Sequence, residues 1–260
     1  KNSVGKLSFK KQKPKERITD FHDLKYTKNP VFLSMDKIAL LHTVPIFRDL
    51  SEKDVVTMSE KMVSRSFTQG QMILLEEAMG ETFFVIASGS VKITRLSDDG
   101  REVILAMLGE GDFFGEMSLL DGEGRSANVV ALNESEVLTL SRNDFLDILQ
   151  TFPQIAISLL EELALRLRKS DQQIESLSLS DVEHRIGMTL VRLSEELGKI
   201  KNGNVSINNL PYQQDIANMA GTSRETVSRT LSLLEEKGLV KREGRDLKIF
   251  DYSAFCRAFS

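Results

Sequence analysis

Two short runs of this 260-residue chain carry side chains suited to holding phosphate and reading base edges. The first is Phe113-Phe114-Gly115-Glu116-Met117-Ser118-Leu119-Leu120, followed after Asp121–Gly124 by Arg125-Ser126-Ala127. Glycine at 115 lets a backbone approach a ligand closely. Residues 116–120 read as one helical turn whose free N–H groups can face an anion. Arg125 can pair with a phosphate, and Glu116 can accept hydrogen bonds from a ribose hydroxyl. An Arg125–Glu116 structural ion pair is the alternative use of these two residues.

The second run is Gln213–Glu236. Ile216, Ala217 and Ala220 give one short helix an apolar side, Gly221 permits a tight turn, and Ser223 can cap a second helix. Val227, Thr230, Leu231 and Leu234 mark its buried face, leaving Arg224, Glu225, Ser228, Arg229 and Ser232 on the other. That is the pattern of a helix-turn-helix. Arginine can bond guanine O6 and N7 together, and glutamate can accept from cytosine N4. Thr222, Ser223 and the helix N-terminus can bond backbone phosphate. The bland alternative is a solvated helix face. Beyond Gly238, Leu239–Arg242 and Leu247–Phe250 flank a Glu243–Asp246 turn. They predict a basic hairpin, or wing, whose Lys241, Arg242, Arg245 and Lys248 can touch phosphates.

Other elements must position these groups. Between Phe67 and Leu140, glycines punctuate the chain about every ten residues. Strand-like runs lie between them at Thr82–Ala87, Val91–Leu96, Val103–Leu108 and Val137–Leu140, with a hairpin turn at Asp98-Asp99-Gly100. Such spacing predicts a compact roll or barrel. From Pro153, Leu160, Leu163, Leu167, Ser170, Ile174 and Leu177 follow coiled-coil spacing between charged flanks. A helix with so narrow an apolar stripe needs a partner, and a second copy of the chain supplies one. Ser170 on that stripe is a tolerated small residue, a register device or a ligand-facing group. Asp181 caps a further helix with Ile186, Leu190, Leu193 and Leu197 on one face, closed by Gly198 and the Lys201–Asn204 cluster. The expected organisation is a basic tail (1–35), a sensor domain (36–150), a dimerisation helix (151–180) and a DNA-binding domain (181–260).

Composition narrows the function classes. The net charge of −4 divides into +6 over residues 1–35, −11 over 36–180 and +1 over 181–260. Nucleic-acid binding must therefore rest on the placement of individual side chains, and attracting an anion to the −11 region needs a buried arginine. One cysteine, Cys256, cannot hold an iron–sulfur cluster alone, and His22, His42 and His184 lack metal-ligand spacing. No metal, haem or cluster is expected, nor an enzyme, since no nucleophile–base pair or phosphate-binding P-loop is present. The longest apolar runs are five or six residues, as in Val103–Leu108, so a cytoplasmic protein with no membrane partner is expected. Residues 1–35 read as a solvated tail, or one that packs on the next domain or an acidic or phosphate surface.

Gly115-Glu116-Met117-Ser118-Leu119-Leu120 with Arg125-Ser126-Ala127 resembles the phosphate-binding cassette of cyclic-nucleotide-binding domains. Ser223-Arg224-Glu225-Thr226-Val227-Ser228-Arg229 resembles the recognition helix of the CRP/FNR family. The resemblance spans about residues 40–260. It implies an α+β fold: a β-roll sensor, a long dimerisation helix and a C-terminal winged helix-turn-helix. It also implies that the Gly115 backbone and the Glu116 carboxylate hold the ribose of a cyclic nucleotide, with Met117 beside them in the binding site, and that Arg125 and Ser126 hold its phosphate. Ser170 would be the dimer-helix hydroxyl residue that meets the base, with Asp171 next to it and Arg166 a further nucleotide-binding arginine of that helix. The cyclic-AMP receptor has threonine then serine where this chain has Ser170 and Asp171, so cyclic AMP is the first expectation and cyclic GMP the second. Arg224, Glu225 and Arg229 would read a TGTGA-like half-site, repeated as a palindrome by the homodimer, with RNA polymerase as a further partner. Regulation by another effector, or by none, is the alternative. The oxygen-sensing branch carries N-terminal cysteines that this chain lacks.

Overall fold

The computed structural model describes residues 34–259. The basic tail falls outside them, apart from its last two residues, which open the first helix. Helices α1 (Ser34–Thr43) and α2 (Glu52–Lys61) precede strands β1 (Val63–Phe67), β2 (Met72–Leu74), β3 (Thr82–Ser88), β4 (Val91–Leu96), β5 (Glu102–Leu108) and β6 (Phe113–Phe114). Helix α3 (Met117–Asp121), strands β7 (Asn128–Ala131) and β8 (Ser135–Ser141), and helix α4 (Arg142–Thr151) follow. Two four-stranded antiparallel sheets result, ordered β1-β8-β3-β6 and β2-β7-β4-β5.

Strand β3 explains why the chain rolls up. Successive side chains on a strand point to opposite faces. Phe84 and Ile86 join Phe67, Ile73, Val91, Phe114, Val129 and Val137 in a core drawn from both sheets. Phe83, Val85 and Ala87 face the other way, against α1, α2, α4 and the start of the next helix. The run Phe83–Ala87 is thus buried on both faces, which is why it reads as continuous apolar sequence rather than alternation.

Helix α5 (Pro153–Leu179) starts on proline, whose missing N–H costs nothing there. Ile155 and Leu159 are buried in the core shared with α1, α2, β3 and α4, and Leu163 packs partly on it. Leu160, Leu167 and Ile174 are 67%, 64% and 62% exposed, with Leu177 at 49%. The exposed stripe also takes in Ile157 at 59%, one turn earlier than the sequence spacing places it. Leu163 therefore serves its own domain, on the border of the stripe.

Beyond Ser180 lie α6 (Val182–Leu197), β9 (Gly198–Lys201), β10 (Asn204–Ile207), α7 (Gln213–Ala220), α8 (Arg224–Glu236), β11 (Val240–Glu243), β12 (Asp246–Ile249) and α9 (Tyr252–Phe259). Asp181 caps α6 through the His184 N–H at 2.8 Å. The Gly198–Asn204 stretch does more than close α6. It forms a hairpin that extends the wing into a four-stranded sheet, β11-β12-β10-β9.

This C-terminal unit docks on the β4–β5 hairpin. Ile104 and Met107 of β5 are buried in the same apolar cluster as Ile216 and Met219 of α7. Lys92 Nζ donates to Glu102 at 2.7 Å and to Asp215 of α7 at 3.3 Å, and Asn218 donates to Glu102 at 3.0 Å. Replacing Lys92 by alanine leaves the Glu102 and Asp215 carboxylates facing each other without their shared cation. Faster protease cleavage at the Leu179–Asp181 connection than in the parent is the expected result of limited proteolysis. Equal rates would show that the apolar contact alone holds the docking.

Candidate functional site

Arg125 is 6% exposed and is held by neutral acceptors. Nη1 donates to the Gly115 carbonyl at 2.8 Å and to Ser118 Oγ at 2.7 Å. Nη2 donates to the Thr82 carbonyl at 2.7 Å. The guanidinium lies near the Phe84 ring, 5.8 Å from its centre, and that ring stacks on Phe114 at 4.8 Å. Burial lowers the Arg125 pKa, and the nearby Glu116 charge opposes the shift. The group has five N–H bonds in a plane. Three are engaged, leaving Nε–H and one Nη2–H without an acceptor among the described residues.

Glu116 is 3% exposed and does not pair directly with Arg125. Its Oε1 accepts from Arg166 Nη1 at 3.2 Å. Arg166 also donates to the Phe113 carbonyl at 2.9 Å and to Glu162 at 3.4 Å, and lies over the Phe113 ring at 4.3 Å. Burial raises the Glu116 carboxyl above the ordinary range, with Arg166 opposing the rise. The structural alternative raised for Arg125 thus belongs to Arg166, which ties α5 to the cassette. Ser126 is exposed, its hydroxyl 3.8 Å from Met117 Sδ. Ser170 Oγ donates to the Arg166 carbonyl one turn earlier at 3.0 Å, and Asp171 is exposed. Met117 is half-exposed at the start of α3.

Sequence reasoning missed three contributors here. The Thr82 carbonyl is backbone and invisible to residue type. The Ser118 hydroxyl lies inside the cassette run but carried no signal of its own. Gly80 was read only as a turn marker, yet a Cβ there would lie 2.2 Å from Arg125 Nε and 2.6 Å from Ser118 Oγ.

The second site is α8. Ser223 caps it, accepting from the Thr226 N–H at 3.2 Å, and Gly221 takes the left-handed conformation at φ 60°. Val227, Thr230, Leu231 and Leu234 are buried, while Arg224, Glu225 and Arg229 are exposed, and Thr222 and Ser228 partly so. A notch of about 440 Å³ is lined by Gln213, Arg224, Glu225, Ser228, Arg229 and Ser232. Gln213 at the start of α7 joins the face expected from α8. The Glu225 carboxyl is held below its usual range by backbone and Ser223 hydrogen bonds, so it is ionised and acceptor-only at neutral pH. The wing's basic residues are less free than the sequence implies. Arg242 pairs with Glu235, Lys241 with Glu243, and Arg245 stacks over Tyr212 at 4.4 Å while donating to the Leu210 carbonyl. Lys248 lies over Phe250 at 5.3 Å.

Among the described residues no group of three or more metal-ligating side chains comes together. No single described helix is long and apolar enough to cross a membrane.

A cyclic nucleotide-binding domain model matches residues 64–152, and a Crp-like helix-turn-helix domain model matches residues 184–258. The chain is 36% identical over 197 residues to the cyclic AMP receptor protein of Thermus thermophilus, covering 76% of this chain and 88% of that one. The chain belongs to the CRP/FNR family. It is also 29% identical to the CRP-like cAMP-activated global transcriptional regulator of Mycobacterium tuberculosis, over 86% of this chain and 99% of that one. The solved structure of the c-di-GMP responsive global regulator CLP of Xanthomonas campestris matches with a TM-score of 0.66 at 25% identity, over 77% and 99% of the two chains. FixK2 of Bradyrhizobium japonicum shares the fold, with a TM-score of 0.69 at 23% identity over 76% and 98%. CRP/FNR proteins are transcription regulators with a DNA-binding helix-turn-helix, and this chain is one of them rather than an enzyme.

The Ser223 cap carries a stability prediction. Ser223→Ala removes the acceptor for the Thr226 N–H and is expected to cost about 1 kcal/mol in urea unfolding, with Ser223→Asp restoring most of it. An alanine variant as stable as the parent would mean that this cap is already satisfied by water.

Proposed function

We propose that this regulator binds palindromic DNA as a homodimer under the control of a cyclic nucleotide held against Arg125. The observation that carries the reading is a buried guanidinium with neutral acceptors only and two uncommitted N–H groups, on Nε and Nη2. Such groups can donate to phosphate oxygens. Gly115, Glu116 and Met117 would face the ribose, Ser126 the phosphate, and Ser170 with Asp171 the base. Residues 36–150 form the sensor in this reading, 151–180 the dimer helix and 181–260 the DNA-binding domain.

The exposed stripe of Ile157, Leu160, Leu167, Ile174 and Leu177 is the surface a second α5 would cover, with Leu163 and Ser170 at its border. Thr222, Ser223, Arg224, Glu225, Ser228 and Arg229 would meet the major groove and its phosphates. RNA polymerase is the further partner of such a regulator.

Control follows from Arg166. It sits on the dimer helix and holds the Glu116 carboxylate that a ribose hydroxyl would approach. A nucleotide that binds one arrangement of this pair better than the other shifts the dimer helix, and only that difference in affinity does so. A tenfold preference corresponds to about 1.4 kcal/mol.

Titration calorimetry with cyclic AMP, cyclic GMP and cyclic di-GMP tests the nucleotide. The first two come from the cassette, and the third from the responsiveness printed for CLP. A saturable signal with one of them is expected, weakened at least about 100-fold, or about 2.7 kcal/mol, in Arg125→Ala. Heat with none of the three would favour the effector-independent reading. In analytical ultracentrifugation the parent should sediment as a dimer and Leu167→Glu as a monomer. A monomeric parent would remove the dimer from the account.

A further inference from the structure

The position of Arg125 is set by two residues that carry no charge, Gly80 and Ser118. Gly80 lies outside the left-handed region, being absent from the glycines of positive φ, so its backbone does not demand glycine. Space does: a Cβ at 80 would lie 2.2 Å from Arg125 Nε, 2.4 Å from Cζ and 2.6 Å from Ser118 Oγ. Ser118, 4% exposed, accepts from Nη1 at 2.7 Å. Gly115 adds a third constraint, since a Cβ there would lie 2.9 Å from Nη1.

Together these contacts leave the guanidinium one seat. The absent side chain at 80 makes room for its flank, Ser118 Oγ and the Gly115 carbonyl take both hydrogens of Nη1, and the Thr82 carbonyl takes one from Nη2. The N–H groups left over are one on Nε and one on Nη2. A planar fork is useful to a phosphate only if its orientation is fixed before the ligand arrives, because ordering a long side chain on binding costs affinity. Arg125 pays that cost on folding.

We propose that Gly80 and Ser118 are positioning residues for Arg125, fixing which edge of its guanidinium meets the exocyclic phosphate oxygens of a cyclic nucleotide. The inference rests on the nucleotide-binding reading above. It makes a claim that a general role in stability does not. A fixed fork meets the two exocyclic oxygens unequally, so the protein must distinguish ligands in which one or the other is replaced by sulfur.

The test is calorimetry with the two phosphorothioate diastereomers of whichever cyclic nucleotide the parent binds, on the full chain, for the parent, Ser118→Ala and Gly80→Ala. The parent should prefer one diastereomer. Ser118→Ala should bind the unmodified nucleotide about tenfold more weakly, the scale of one charge-assisted hydrogen bond, and its preference between the diastereomers should move toward one. Gly80→Ala should do the same or more, because its Cβ occupies the seat. If Gly80→Ala fails to fold, Ser118→Ala, which removes a single oxygen, carries the test alone. A uniform loss of affinity with the preference unchanged would assign Ser118 and Gly80 to the fold and overturn the inference while leaving nucleotide binding intact. A parent that binds no cyclic nucleotide would overturn reading and inference together.

Discussion

Burying the Arg125 charge is the constraint on which the sensor half of this protein is built. Removing an ion from water costs several kcal/mol, and the chain offsets it with three acceptors, the Gly115 and Thr82 carbonyls and the Ser118 hydroxyl, in room left by Gly80. None of these acceptors is charged. A direct carboxylate partner would have satisfied the arginine and cancelled its pull on an anion. Glu116, the obvious candidate, is taken by Arg166 instead. The acceptors meet only when β3 pairs with β6, Phe84 opposite Phe114, so forming the roll and forming the seat are one event.

The same arrangement connects the sensor to the rest of the molecule. Arg166 is a residue of α5, so the helix that carries the exposed apolar stripe is pinned to the cassette through Glu116, Glu162 and the Phe113 carbonyl. Elsewhere on the roll, the β4–β5 hairpin holds α7 through Lys92, Glu102, Asp215 and Asn218. Helix α7 in turn positions the recognition helix across the Gly221 turn. The cassette is thus connected to α8 by two routes of contact, one through α5 and one through the sheet.

Much of this was legible in the sequence because the relevant signals are local. The caps at Asp181 and Ser223, the turn at Gly221 and the four strand runs each depend on residues near one another in the chain, and the structure places them within a residue or two. What escaped were features made by distant segments meeting. The choice of Arg166 over Arg125 for Glu116 depends on how α5 meets the Phe113–Glu116 segment, with Glu116 50 residues from Arg166 in sequence. The β9–β10 hairpin read as a helix terminator because Gly198 and Asn202-Gly203 serve either purpose, and only pairing with β12 decides. Leu163 follows the heptad spacing, yet the sensor core claims it, since spacing gives a face but not what covers it. Arg242 looks like a free wing cation until Glu235, seven residues earlier on α8, folds beneath it.

The central claim is that a nucleotide at Arg125 changes how α8 meets DNA. The most direct measurement is fluorescence anisotropy of a labelled duplex with two inverted TGTGA half-sites about one helical turn apart, titrated with the full chain at fixed salt, with and without saturating cyclic nucleotide. The account predicts at least about tenfold tighter binding with nucleotide, about 1.4 kcal/mol, and no such change for Arg125→Ala. Identical parent curves with and without a nucleotide that calorimetry shows to be bound would contradict it.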